Sequence, residues 1–567
     1  MDKWLSYLQK LKAEGEIGLL EYQFAKFVYG VETRASQELI SCAVLATHDQ
    51  LNGNICTDLS KLNDSHLAVK LKLNSTSLQD LFSILDKSTS VGKPGDYTPF
   101  ILEGDKLYLQ KYWEYENELI QWLKEKTEVP HKSLEISDAL QIMSMFESDE
   151  DEINLQMIGT ALALLTDLVI ISGGPGTGKT FTVKTILEVL SNNQKDLKIA
   201  LAAPTGKATE RLSESIAESF GELKASTIHR LLGARKSGEF KYGQNNKLPY
   251  DVVIIDEASM LDIRLWISLI RAIKKSAKLI LLGDKDQLAS VEAGSVLGDI
   301  CFGATNDFSA KLTSELKVLS KDLKLCNPKN ILNDHIILLN KSYRSKSGSG
   351  ISELAKAIND QNQQEVFKLE KLFSGIEIIP PSSQRINSLI EDYKSEILSD
   401  GVVSQFMCSN KKGDLGTNSL NDEIERRIKK AQKISDNVEW YSGRKIIITK
   451  NNRALSLKNG EIGTCSVNDM GQYFIHFDSS KEISVSQLID YDLAYAITVH
   501  KSQGSEFDKV VLFLPDKLNP VLTKELLYTG VTRARENALV VGKSKLIEQV
   551  IVKSVNRASS IPDKLIE

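Results

Sequence analysis

The run DLVIISGGPGTGKT, Asp167 to Thr180, constrains this chain more than any other stretch. A β-branched strand leads into Gly173-x-x-x-x-Gly178-Lys179-Thr180, and the helical pattern TFTVKTILEVLSNN follows. Glycines at that spacing let backbone N–H groups curl around phosphate oxygens, and the helix that opens there adds partial positive charge. Gly173, Gly174, Pro175, Gly176, Thr177 and Gly178 are expected to wrap a nucleotide. Lys179 would reach its β and γ phosphates, and Thr180 would hold Mg²⁺. Such a loop needs a parallel sheet behind it. Short apolar runs recur at DLVIIS, LKIALAAP, DVVIID and AKLILLGD, with helical stretches between them, as that sheet requires.

The run DVVIIDEASM ends in Asp256-Glu257. Two carboxylates at the C-terminal edge of such a sheet face the phosphates. Asp256 is expected to bind Mg²⁺ and Glu257 to polarise the attacking water, in a transfer that is mostly positioning and charge neutralisation. Gln287, in LILLGDKDQL, is placed to sense the γ-phosphate. Arg344, in LLNKSYRS, is placed to supply charge to the transition state. Gln156, one helix before the loop, is a candidate for the adenine edge.

The 567 residues allow roughly three to four domains. Residues 1–115 read as mostly helical, 116–349 as the first α/β unit, and 350–567 as a second unit with apolar runs VVSQFM, AYAI and VVLFLP. Within the first unit, residues 234–249 are polar and long enough for a small hairpin. Within the second, residues 440–490 read as a small β-barrel insertion with tight turns at KNG and MGQ. A net charge of −5 gives no hint of nucleic-acid binding, so any such surface is local. The six cysteines are scattered with no CxxC spacing, which speaks against a zinc site or disulfide framework and for a reducing, cytoplasmic setting. The longest apolar tract, MIGTALALLTDLVIIS, is interrupted at Thr166-Asp167 and too short to span a bilayer, so no membrane association is expected. The N-terminus lacks the apolar core of a signal peptide.

Further motifs follow in order: APTGKA, STIHRLLG, GDKDQLASVEAG, SYRS, TVHKSQGSEF and YTGVTRAR. With the phosphate loop and DEASM, this series resembles the superfamily I DNA helicases, and among them the RecD family, subunits of RecBCD-type exodeoxyribonuclease V. WYSGRKIIITKNNRALSLKNGEIGTC resembles that family's SH3-like insertion, and the N-terminal segment resembles its first domain more loosely. Gly530 stands where alanine is expected and Lys285 where arginine is common; neither removes a group that does chemistry.

The resemblance implies two RecA-like sheets with ATP between them and single-stranded DNA across their tops. It places Pro204, Thr205, Lys207, Thr227 and His229 on the DNA from the first sheet, and Thr498 and His500 from the second. Glu506 would lie by the nucleotide, and Arg533 would reach the γ-phosphate beside Arg344. Arg535 reads as a surface ion pair. The 234–249 hairpin is similar to a strand-separating element. The implied activity is ATP-dependent 5′→3′ unwinding of duplex ends, in a heterotrimer with RecB-like and RecC-like subunits, serving double-strand break repair. No nuclease cluster is legible. A stand-alone helicase and a nucleotide-binding scaffold without motor activity are the alternatives.

Overall fold

The computed structural model describes all residues except 1, 34, 130, 147–152, 195, 222, 321–322, 324–328, 344–349, 400–403, 453, 478–480 and 567. Two parallel sheets organise it. The first runs in the order Ile336–Leu339, Leu168–Gly173, Lys278–Gly283, Val252–Ile255, Ile199–Ala203, Ser226–Thr227, parallel at every pairing. Its central strands are buried along their whole length, as expected where helices cover both faces. Side chains alternate between the two layers. Leu168 and Ile170 join one core, and Val169 and Ile171 the other. The second sheet has the order Ile376–Ile379, Ala534–Val541, Phe507–Phe513, Gln405–Cys408, Ala496–Thr498, again all parallel. Val510 and Leu512 face one layer, Val511 and Phe513 the other.

The structure adds to the sequence expectation in several places. The N-terminal unit is not only helical: a four-stranded sheet, Thr57–Asp58, Lys106–Leu109, Phe100–Glu103, Val91–Gly92, packs with its helices. Strands of two to four residues are too short for alternation to declare itself. The helix that follows, Gln110–Thr127, runs across the expected boundary at residue 115, and its Leu119, Ile120 and Leu123 lie in the first sheet's core.

The expected hairpin at 234–249 is reduced to one antiparallel bridge, Ala234 to Phe240, with a turn at Gly238. Its aromatic residues Phe240 and Tyr242 pack onto the first core, which holds the segment close to the body. The expected barrel at 440–490 is a five-stranded antiparallel sheet, Glu482–Ser484, Tyr473–Phe477, Ile462–Val467, Lys445–Ile448, Tyr491–Leu493, around Ile446, Cys465, Ile475 and Phe477. Among the described residues its two edge strands do not pair.

The second unit also does not keep its tail. After helix Ser544–Val552 the chain returns to the first unit. There Ile561 and Leu565 enter the first core, and the Ser560 N–H donates to the buried Glu116 carboxylate (3.0 Å). Two apolar residues four apart do not reveal their docking site from sequence. Among the described residues, no helix is long and apolar enough to cross a membrane.

Candidate nucleotide and DNA site

Gly176 and Gly178 hold φ near +81° and +80°, a region open to glycine without strain. A Cβ on Gly178 would lie 1.9 Å from the Gln156 side-chain nitrogen. That nitrogen donates to the Thr177 carbonyl (2.8 Å), and Asn154 caps the helix that carries Gln156. Gln156 therefore braces the loop through its amide nitrogen, which leaves its second amide hydrogen and its side-chain oxygen for another partner. Thr177 Oγ1 donates back to the Gly174 carbonyl (2.8 Å). Lys179 Nζ donates to the carbonyls of Gly173 (2.5 Å) and Gly174 (3.1 Å).

The strand Val252–Ile255 delivers Asp256, whose Oδ1 accepts the Glu257 N–H (2.8 Å). Burial and the adjacent Glu257 push the Asp256 carboxyl up to about 6. Glu257 holds φ +53°. A non-glycine residue there is strained, and such strain clusters at working sites.

These groups open onto one cavity of about 410 Å³ that both parallel sheets line. Lys179, Thr180, Asp256, Glu257 and Gln287 come from the first sheet; Gly504, Glu506 and Arg533 come from the second. Arg533 is 3% exposed. Its Nη2 donates to Gln287 Oε1 (2.7 Å), and its other nitrogens to the Ser505 and Thr529 carbonyls (both 3.3 Å). Gln287 Nε2 in turn donates to Asp284 Oδ2 (2.9 Å), which also accepts the Tyr528 hydroxyl (2.9 Å). A continuous chain of hydrogen bonds thus runs Arg533–Gln287–Asp284–Tyr528, from the second sheet into the first and back. Arg344 lies outside the described residues. The N–H of its neighbour Tyr343 donates to the Gly176 carbonyl (2.8 Å), which brings the Tyr343 ring to the cavity wall.

The DNA candidates sit at the C-terminal edges of the two sheets, at strand ends or just beyond them. Pro204 and Thr205 follow Ile199–Ala203, Thr227 ends Ser226–Thr227, and Thr498 ends Ala496–Thr498. All three threonines cap short turns or helices: Thr205 Oγ1 accepts the Ala208 N–H (3.2 Å), Thr227 the Arg230 N–H (3.3 Å) and Thr498 the Lys501 N–H (3.3 Å). A hydroxyl that accepts in this way keeps its own hydrogen to donate. Lys207 Nζ lies 5.9 Å from the Phe507 ring centroid, across the seam between the units. The His229 ring lies 5.8 Å from that of Phe240. His500 is half-buried, and burial lowers its imidazole pKa, with Arg557 adding to the effect.

Residues 156–293 match the AAA domain family, residues 493–541 the UvrD-like helicase C-terminal domain, and residues 13–108 the N-terminal domain of RecBCD enzyme subunit RecD. The RecBCD enzyme subunit RecD of Buchnera aphidicola subsp. Acyrthosiphon pisum is 34% identical over 519 residues, covering 83% of this chain and 85% of its own. This chain belongs to the RecD family. The RecD subunit of Haemophilus influenzae is 29% identical, with 99% of each chain covered. The ATP-dependent RecD2 DNA helicase of Deinococcus radiodurans is 31% identical over 66% of this chain and 47% of its own.

At this cavity and behind its wall, several groups escaped the sequence reading. Arg211 lines the wall and faces Glu506 (3.6 Å), and burial lowers its pKa. It stands four residues after Lys207, on the same face of helix Gly206–Phe220, so helical spacing could have found it. Asp284 and Tyr528 carry no comparable signal, because each acts through a partner distant in sequence. Arg535 behaves as expected: about half exposed (49%), it pairs with Glu506 (3.5 Å) and Asp508 (3.4 Å).

Proposed function

We propose that the chain is an ATP-driven 5′→3′ DNA translocase and helicase, the RecD-like subunit of a RecBCD-type helicase–nuclease acting in double-strand break repair. RecB-like and RecC-like subunits would complete the heterotrimer, in the cytoplasm. The observation that carries this reading is the single cavity where Lys179, Thr180, Asp256 and Glu257 of one sheet meet Glu506 and Arg533 of the other.

Lys179 binds the β and γ phosphates in this reading, and Glu257 takes the proton of the attacking water. The new bond forms from water oxygen to the γ-phosphorus, and the bond to the β,γ-bridging oxygen breaks. Arg533, with Arg344, meets the charge that gathers on the γ-phosphoryl oxygens. Gln287 bonds to Arg533 and so links the γ-phosphate position to the second sheet. Thr180 and Asp256 are hard oxygen donors that suit Mg²⁺, and they line the same cavity as Lys179. The ion would neutralise the β and γ oxygens.

Pro204, Thr205, Lys207, Thr227, His229, Thr498 and His500 would bind the strand's backbone without reading sequence. Because they border both sheets, closure on ATP shifts one grip relative to the other, and a ligand moves such an equilibrium only through differential affinity. We read the antiparallel sheet within 440–490 as the SH3-like insertion; its place in the second unit and its separate core support this.

The test is ATP turnover with and without oligo-dT. Stimulation many-fold is expected. Glu257→Gln should keep ATP binding and lose turnover by about 10²–10⁴. Turnover that ignores DNA, or a Glu257→Gln variant at the wild-type rate, overturns the reading.

A further inference from the structure

The tail that returns from the second unit to the first does so in a very short span. The Val555 N–H donates to the Glu525 carboxylate of the second unit (2.9 Å). Two residues later, Arg557 Nη1 donates to the carbonyls of Glu292 (2.8 Å) and Gly294 (2.9 Å) of the first. The next residue joins the N-terminal unit: the Ala558 N–H donates to Asn54 Oδ1 (2.7 Å), and the Ala558 carbonyl accepts the Ile55 N–H (2.9 Å). The guanidinium lies flat against Gly53, where a Cβ would come within 2.7 Å of its central carbon and where φ is +93°. Gly53 also accepts the Gly294 N–H (2.9 Å).

The segment gripped here starts one residue after Gln287, at the cavity wall. Leu288 is bonded to the second unit at both ends, its N–H to Thr529 Oγ1 (2.9 Å) and its carbonyl to Gln503 Nε2 (2.9 Å). Ser290 Oγ donates within the loop to the Glu292 (3.0 Å) and Gly294 (3.3 Å) carbonyls, the two that Arg557 takes. The Gln503 N–H in turn donates to the His500 carbonyl (3.4 Å), so residues 287–294 run from the nucleotide cavity to a bonded contact with the turn that carries His500. Arg557 fixes the far end, where the three units meet.

We propose that Arg557 is a positioning residue that holds the 288–294 loop against the N-terminal unit and beside His500, so that closure at Gln287 and Arg533 reaches the DNA grip. The proposal rests on the DNA-translocase reading. One guanidinium nitrogen donates to both carbonyls while the rest of the planar group covers Gly53, a pairing of contacts that a point charge does not reproduce.

The experiment titrates oligo-dT against ATP turnover of the full-length chain. Wild type shows whether DNA stimulates at all, and a flat response there sinks the translocase reading itself. Given stimulation, Arg557→Ala should keep basal turnover and raise the oligo-dT concentration for half-maximal stimulation about tenfold. Arg557→Lys should behave like the alanine variant. Gly53→Ala, which pushes the guanidinium off its seat from another element, should shift the same quantity in the same direction. Half-stimulation within about twofold of wild type in Arg557→Ala and Gly53→Ala overturns the proposal. So does full rescue by Arg557→Lys, which would make Arg557 a charge contact, and so does basal turnover falling in step with stimulated turnover.

Discussion

In the first parallel sheet, strand Leu168–Gly173 ends in a glycine loop that hands the chain to a fifteen-residue helix at Lys179. In the second, strand Ala496–Thr498 ends in a single 3₁₀ turn, Val499–Ser502, built from His500, Lys501 and their neighbours. Both sheets are parallel and buried on both faces, yet only the first can wrap phosphates with its own backbone. What the second adds to the cavity is Glu506 and the buried Arg533. Architecture shared by two sheets thus says little about chemistry; the loops at their C-terminal edges decide it. In the proposed reading, one sheet holds the nucleotide, and the other has a group to contribute only while it lies against the first.

The sharpest way to break that contrast is Arg533→Ala. If the second sheet completes the site, turnover should fall by about 10³ or more. Binding of a fluorescent ATP analogue should survive, since the phosphate loop is untouched. Lys179→Ala, on the first sheet, should weaken both. Near-normal turnover in Arg533→Ala, with the fold intact by circular dichroism, would reduce the second sheet to a DNA platform.

A smaller effect should come from the hydrogen-bond chain that joins the sheets. Tyr528→Phe removes one hydroxyl from Asp284, and Gln287→Ala removes the link to Arg533. Burial already raises the Asp284 pKa, so each lost donor matters. A double-mutant cycle on DNA-stimulated turnover should give a coupling of about 1 kcal/mol between these positions. Strict additivity would mean that Asp284 anchors the two sides independently.

Much of this arrangement was legible beforehand because it depends on local signals. A fully buried parallel strand reads as an apolar run, and a phosphate loop reads as fixed glycines. The strands at DLVIIS, DVVIID and VVLFLP needed nothing more; that Glu506 and Arg533 share a cavity with Lys179 and Glu257 was expected only from the family resemblance. What stayed hidden depends on packing at a distance. Gln156 was read for the adenine edge alone; its burial against the loop, where Gly178 leaves room for its amide, has no local signal. The tail's apolar residues gave no address. Each threonine of the candidate DNA motifs also holds a helix or turn end, a second role its motif does not announce.

The smallest predicted effect concerns the other bridge between the units. Lys458, in the antiparallel insertion, pairs with Glu210 (2.6 Å) and donates to the Gly206 carbonyl (3.3 Å) at the start of the first unit's helix Gly206–Phe220. A Cβ on Gly206 would lie 2.1 Å from the Lys458 stem, so the glycine permits the crossing. Both charges are about one-third exposed (32% and 30%), and such a pair contributes about 0.5 kcal/mol. Lys458→Ala and Glu210→Ala, combined in a cycle on oligo-dT affinity, should show a coupling of that size that fades as salt rises. A coupling that persists at high salt would locate the bridge in the buried lysine stem rather than its charge. The insertion would then lean on the first sheet by packing, and the division of labour between the sheets would extend to how each is held over the strand.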